Sequence, residues 1–167
     1  MSTKFFTNST GNTLFDKFKG IAADMINFDS FLAVVGFFRS SGYFKLRKEL
    51  GNVSEIKILV GINIDDIFRK HNKALLMLAD EDKAKEIYHN GFKEDIINAQ
   101  YSPEVEEGIL QMCEDLVSGR LQMRIHATKN LHAKFYLCLP QNHSEHSDGW
   151  VIMGSSNISD SGLGIKQ

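Results

Sequence analysis

Four side chains in the last third of the chain have the types and spacing to grip a small anion. His132 and Lys134 are two apart, and Ser155 and Asn157 are two apart behind Gly154. Alternation along the strand expected over Leu131 to Leu137 puts His132, Lys134 and Tyr136 on one face and Ala133, Phe135, Leu137 and Leu139 on the other. The first face is expected to carry chemistry and the second to meet the core. A second run, Trp150-Val151-Ile152-Met153, delivers Gly154, whose missing Cβ lets backbone approach a ligand closely. If the two strands pair, an imidazole, an ammonium, a hydroxyl and a carboxamide converge with no carboxylate in the set. That lining suits a phosphate group and calls for no metal and no cofactor. Gly154 and Ser156 in the turn, Arg39 after the first strand and His126 on a neighbouring strand beside Arg124 are the additional candidates for substrate contact.

A phosphodiester carries a negative charge that repels anionic nucleophiles. The neutral imidazole of His132 can attack phosphorus without adding charge and form a phosphohistidine that water later opens. Lys134, Ser155 and Asn157 would hold the nonbridging oxygens as charge builds in the transition state. In-line displacement also needs a general acid on the far side of phosphorus, and one histidine cannot occupy both sides.

His132-x-Lys134, followed by a strand and Gly154-Ser155-x-Asn157, resembles the signature of the phospholipase D superfamily. The first half fits more loosely: an amphipathic helix, a strand ending in Gly36-Phe37-Phe38, a helix and the strand Ile56 to Gly61 look like that fold's opening. It is most similar to the phospholipase D-like domains at the N-termini of bacterial helicases and restriction-type proteins. The resemblance implies a metal-independent endonuclease acting on DNA, in a homodimer where a symmetry-related His132 supplies the second half of the site. It departs from the family pattern at Leu139, where an Asp is usual. A Glu found in nuclease members would fall beyond Gln167, so the chain is expected to be the N-terminal piece of a longer polypeptide. Two other readings stand beside this one. The first is a dimerisation or nucleic-acid backbone binding module without turnover. The second is a lipid phosphodiesterase, which the lack of an obvious membrane-binding segment disfavours.

The 167 residues are enough for one domain with a substantial core, and 43% apolar content fits a globular class. A net charge of −2 gives no general attraction to nucleic acid, so a phosphodiester must be held by local groups. Cys113 and Cys138 fall in an expected helix and an expected strand, which suggests buried, reduced thiols of a cytoplasmic protein. No apolar run approaches the ~20 residues of a membrane span. His143, Glu145, His146 and Asp148 have ligand chemistry but lie in a polar loop, where a solvated surface is the simpler reading.

The positioning elements follow in order. Asn12-Thr13 caps a helix with Leu14, Phe15, Phe18, Ile21, Ala22 and Met25 on one stripe. Phe31 to Phe37 is a continuous apolar run, expected as a central strand covered on both faces. Ser40-Ser41 can cap a helix to Leu50, ended by Gly51, and Glu55 to Ile62 is a second strand. Helices are expected from Asp65-Asp66 to about Leu78, from Asp82 to Asn98, and after Ser102-Pro103 with Val105, Ile109, Met112 and Leu116 as the stripe. Leu121 to His126 alternates as a half-polar strand. The resulting class is α/β: a mixed β-sheet flanked by helices, parallel where helices intervene and antiparallel near the C-terminus. By resemblance this is a phospholipase D-like α/β/α sandwich.

Overall fold

The structure, a computed structural model, describes residues 5–25, 27–51, 53–61, 102–126 and 131–165. The helices expected from Asp65 and from Asp82, and the link at residues 128–130, lie outside the described residues.

Thr13 starts helix α1 (Leu14–Asp24) with a reciprocal cap. The Asp16 N–H donates to its hydroxyl at 3.1 Å, and the Thr13 N–H donates to the Asp16 carboxylate at 2.9 Å. Those bonds from Thr13 hold the Asp16 carboxyl below its usual range. Strand β1 (Phe28–Val35) follows, then α2 (Ser40–Leu50), β2 (Glu55–Gly61), α3 (Pro103–Val117), β3 (Leu121–His126), β4 (Phe135–Pro140), β5 (Trp150–Met153) and the single turn α4 (Asp160–Leu163). The sheet runs β3-β2-β1-β4-β5, so β1 is central. β1 pairs in parallel with β2, and β2 with β3, because each connection contains a helix long enough to return the chain to the same end. β4 lies antiparallel to β1 and to β5, the latter joined by a loop alone. The chain is therefore α/β with a mixed sheet packed by helices, as its pattern of elements implies.

Register decides which residues share a face. Phe31, Ala33 and Val35 stand beside Ile56, Ile58 and Val60 of β2, and Phe31 and Ala33 beside Cys138 and Tyr136 of β4. All of these are buried. The Phe18 ring of α1 meets the rings of Phe31 and Tyr136 edge-on at 5.6 and 5.2 Å, the preferred geometry for opposed ring quadrupoles. The opposite face carries Leu32, Val34, Leu59, Phe135 and Leu137, all half-buried. The expected burial of β1 on both sides is thus complete on one side and partial on the other.

An ionic knot ties α2 to α3. The Asp115 carboxylate, 2% exposed, accepts from Arg47 Nε at 2.6 Å and Nη2 at 3.2 Å and from the Tyr43 hydroxyl at 2.9 Å. Burial and the adjacent Asp115 carboxylate push the Tyr43 phenol well above its usual value, so it remains a donor. The expected α3 stripe holds at Val105, Ile109 and Met112, which pack on the core, and fails at Leu116, its last member. Gly108, Met112 and Asp115 face inward, and Leu116 is 41% exposed. Gly108 is required there, since a Cβ would lie 2.4 Å from the Phe44 ring.

Two more expectations change. α2 is entered through Arg39 as its N-cap, without a side-chain cap, and Ser40 is buried inside the first turn. Cys113 is exposed, whereas Cys138 is buried and burial pushes its thiol up to about 12. Among the described residues no helix is long and apolar enough to cross a membrane.

Candidate functional site

Gly36 directly follows β1 and Gly61 ends β2, and the segment before β4 crosses over both. A Cβ at Gly61 would lie 2.5 Å from the Leu131 carbonyl oxygen, and one at Gly36 would lie 3.1 Å from the same atom. At Gly61 only glycine allows that approach and at Gly36 a side chain would crowd it, so the two strand ends form a floor on which the Leu131 backbone rests. Ligand sites of open α/β sheets gather at this end of the parallel strands.

Two of the expected groups meet over the floor. A Cβ at Gly36 would stand 3.4 Å from Lys134 Nζ and 3.7 Å from Asn157 Oδ1, which places both side chains around one point. The Asn157 carboxamide is fixed there because its oxygen accepts from the Phe37 N–H at 3.0 Å. Its donor end is then the part that can meet an anion. The chain around it is pinned by a parallel bridge from Phe38 to Ile158 and by the Arg39 N–H donating to the Ile158 carbonyl at 2.8 Å. Gly162 closes the corner, since a Cβ there would overlap the Asn157 carbonyl.

Lys134 corrects the expected facing of β4. Residues 131–134 precede the strand, which begins at Phe135. Lys134 is 6% exposed and Tyr136 1%, on the face that packs against α1, while Ala133 is exposed and Phe135, Leu137 and Leu139 are half-buried. The reason is Tyr136: its ring fills the aromatic cluster and its hydroxyl donates to the Ser156 carbonyl at 2.5 Å, so the phenol is satisfied inside the core. Lys134, two residues earlier on the same side, is drawn under the turn. Its ammonium donates to the His132 carbonyl at 2.7 Å, and burial lowers its pKa.

The remaining candidates are placed as follows. His132 is exposed, two residues before Lys134, and its backbone oxygen is the atom to which Lys134 donates. The Gly154 N–H donates to the Lys134 carbonyl at 3.2 Å, so the two halves of the expected set are directly bonded through backbone. Ser155 is exposed at the turn, and Ser156 is buried with its carbonyl taken by Tyr136. His126 is half-buried at the end of β3, opposite Gly61 in register, at the same end of the sheet. Arg39 is half-buried with its guanidinium 3.9 Å from the centroid of the Phe37 ring. His143, Glu145, His146 and Asp148 are exposed in the loop between β4 and β5, where the Ser147 hydroxyl meets His143 Nδ1 at 3.0 Å. Gly36, Gly61 and the Phe37 amide are the site residues that pattern alone did not single out for these roles.

A buried ammonium costs stability, and the sign of its pH dependence follows. Because folding lowers the Lys134 pKa below the 10.5 of the free side chain, the cost is fully present below the folded pKa and disappears as pH rises towards 10.5. Lys134→Met is therefore expected to leave stability at neutral pH within about 1 kcal/mol of wild type, since it removes a desolvation cost together with one hydrogen bond. Urea titrations from neutral to alkaline pH should show wild type gaining on the variant. A large loss at neutral pH would make Lys134 a structural residue instead.

No protein-family model matches this chain, and a search of curated proteins returns no match.

Proposed function

We propose that this chain is a phosphodiesterase module of the phospholipase D type, a metal-independent endonuclease acting on DNA. The observation that carries the reading is the convergence of the Lys134 ammonium and the Asn157 carboxamide on Gly36, with the exposed His132 two residues before Lys134. Lys134 and Asn157 supply donors to the nonbridging oxygens, and Ser155 supplies a hydroxyl at the rim. His132 forms the bond to phosphorus as the bond to the departing oxygen breaks. Water then displaces the imidazole and leaves a phosphate monoester. The departing oxygen takes its proton from the His132 of a second chain, in a homodimer with the two sites face to face across a twofold axis. The unpaired thiols of Cys113 and Cys138 agree with a reducing compartment such as the cytoplasm.

Leu139, the departure that favours a module without turnover, stands away from the phosphate corner. It lies five residues beyond Lys134, about 16 Å along an extended chain, and packs near Gly149, where a Cβ would come within 2.9 Å of its Cδ2. A carboxylate at that position would stand at the far end of β4 from the phosphate corner. A second reading, a backbone-binding module without turnover, is also favoured by one observation: among the described residues no side chain orients the His132 imidazole.

The test is cleavage in EDTA of circular duplex and single-stranded DNA between about pH 5 and 8, where imidazole titrates. Protein quenched during turnover on 32P-labelled substrate should carry an acid-labile, base-stable phosphoramidate. No EDTA-resistant cleavage across that range overturns the enzyme reading and leaves the binding module.

A further inference from the structure

Beside the phosphate corner stands an aromatic ring that the chemistry above does not use. Phe37 and Phe38 follow Gly36 at the end of β1 and point to opposite sides. Phe38 goes into the core at 3% exposure, and Phe37 is left half-exposed. The Phe37 backbone N–H is the group that holds Asn157 Oδ1, so its ring belongs to the residue bonded to the proposed phosphate ligand. The Arg39 guanidinium lies against the ring at 3.9 Å from its centroid. A ring and a guanidinium stacked in this way fix each other's orientation and form a flat apolar and cationic unit.

We infer that Phe37, backed by Arg39, is a stacking platform for a nucleobase, and that the substrate is single-stranded nucleic acid. The inference rests on the phosphodiesterase reading and names the substrate class of the same site. A base attached to a phosphate held by Lys134 and Asn157 is one sugar away from that phosphate. The Phe37 N–H is itself the group that holds Asn157 Oδ1, so the ring is carried by the residue bonded to that phosphate ligand. Bases in a duplex are already stacked on each other, whereas an unpaired base presents a face that Phe37 can take up.

Two further observations favour this ligand. The net charge of −2 gives the chain no general attraction for a polyanion, so affinity must come from contacts that do not depend on bulk charge. Stacking is such a contact. The guanidinium that backs the ring also adds a positive charge beside the face offered to a base, which suits a polyanionic strand better than a cationic headgroup.

The experiment compares three labelled strands of equal length by fluorescence anisotropy: oligothymidylate, the same phosphate backbone with abasic sugars, and a duplex. Wild type should bind oligothymidylate about 5- to 150-fold more tightly than the abasic strand, the range that one stacked base supplies. The duplex should bind no better than the abasic strand. Phe37→Leu, which keeps an apolar side chain but no ring, should bring the oligothymidylate-to-abasic ratio close to one, and Phe37→Tyr should restore it. Lys134→Met should instead weaken both strands together. Equal wild-type affinity for oligothymidylate and the abasic strand overturns the platform while leaving the phosphate site standing. So does a ratio unmoved in folded Phe37→Leu. Lys134-independent binding of all three strands removes the phosphate site, and the platform with it.

Discussion

Asp115→Ala is expected to cost about 3–5 kcal/mol of folding stability, the usual consequence of breaking a buried ion pair by removing one partner. For a domain whose total stability is about 5–15 kcal/mol, that is a large share. The loss does not come from the carboxylate's own interactions alone. Arg47 is 7% exposed, and without Asp115 two of its hydrogen bonds end on nothing, leaving its Nη1 bond to the Gly51 carbonyl at 2.7 Å. The Tyr43 hydroxyl, on a residue with no exposed surface, loses its acceptor as well. Urea unfolding should show a lower midpoint with an unchanged slope, the signature of lost stability rather than a changed unfolded state. A double variant, Arg47→Met with Asp115→Leu, should recover most of the loss, because two apolar side chains of similar volume remove both desolvation costs. A loss below about 1 kcal/mol in Asp115→Ala would mean that water reaches Arg47 and relieves it.

The same knot shows why part of this fold is legible in sequence and part is not. Helix α1 and its Thr13 cap, the parallel strands β1 and β2, and the glycine ends of α2 and α3 follow from periodicity and local backbone preference. Most of the α3 stripe follows too, but the inward turn of Asp115 at its end does not, because its partner Arg47 is 68 residues away and no local pattern reports it. Strand β4 fails for a related reason. Ala133, Phe135, Leu137 and Leu139 alternate as an apolar set, so an apolar-inward rule chooses that face. The winning face contains Tyr136, whose one polar atom finds the Ser156 carbonyl from inside the core.

The site divides along the same line. His132, Lys134, Gly154, Ser155 and Asn157 are readable as a set because their residue types are unusual together and their strands are neighbours in sequence. The backbone bond from Gly154 to Lys134 joins the two halves. The glycine floor and the Phe37 amide are not readable in that way, since Phe37 and Asn157 are 120 residues apart. Their only trace in sequence is that β1 and β2 each run apolar to a terminal glycine.

His132→Ala is expected to lower EDTA-resistant cleavage by at least about 10³-fold, because under the proposed mechanism it removes the atom that bonds to phosphorus rather than a group that steadies charge. Binding should change little, since in the proposed site Lys134 and Asn157 are the groups that hold the phosphate. Adding Lys134→Met to His132→Ala should reduce the residual rate by much less than Lys134→Met does alone. Residues that act in one step lose their effects together. The proposed dimer, with its shared site, makes a further demand on the same variant. If each cleavage needs the imidazoles of both chains, wild type and His132→Ala refolded together in equal amounts should give about one quarter of the wild-type rate, because only one dimer in four has two histidines. Independent sites in each chain would give about one half. A linear dependence on the wild-type fraction, with cleavage still abolished in pure His132→Ala, would keep His132 as nucleophile and require the departing oxygen's proton to come from within the same chain. His126, at the same end of the sheet, would then be the imidazole to replace next.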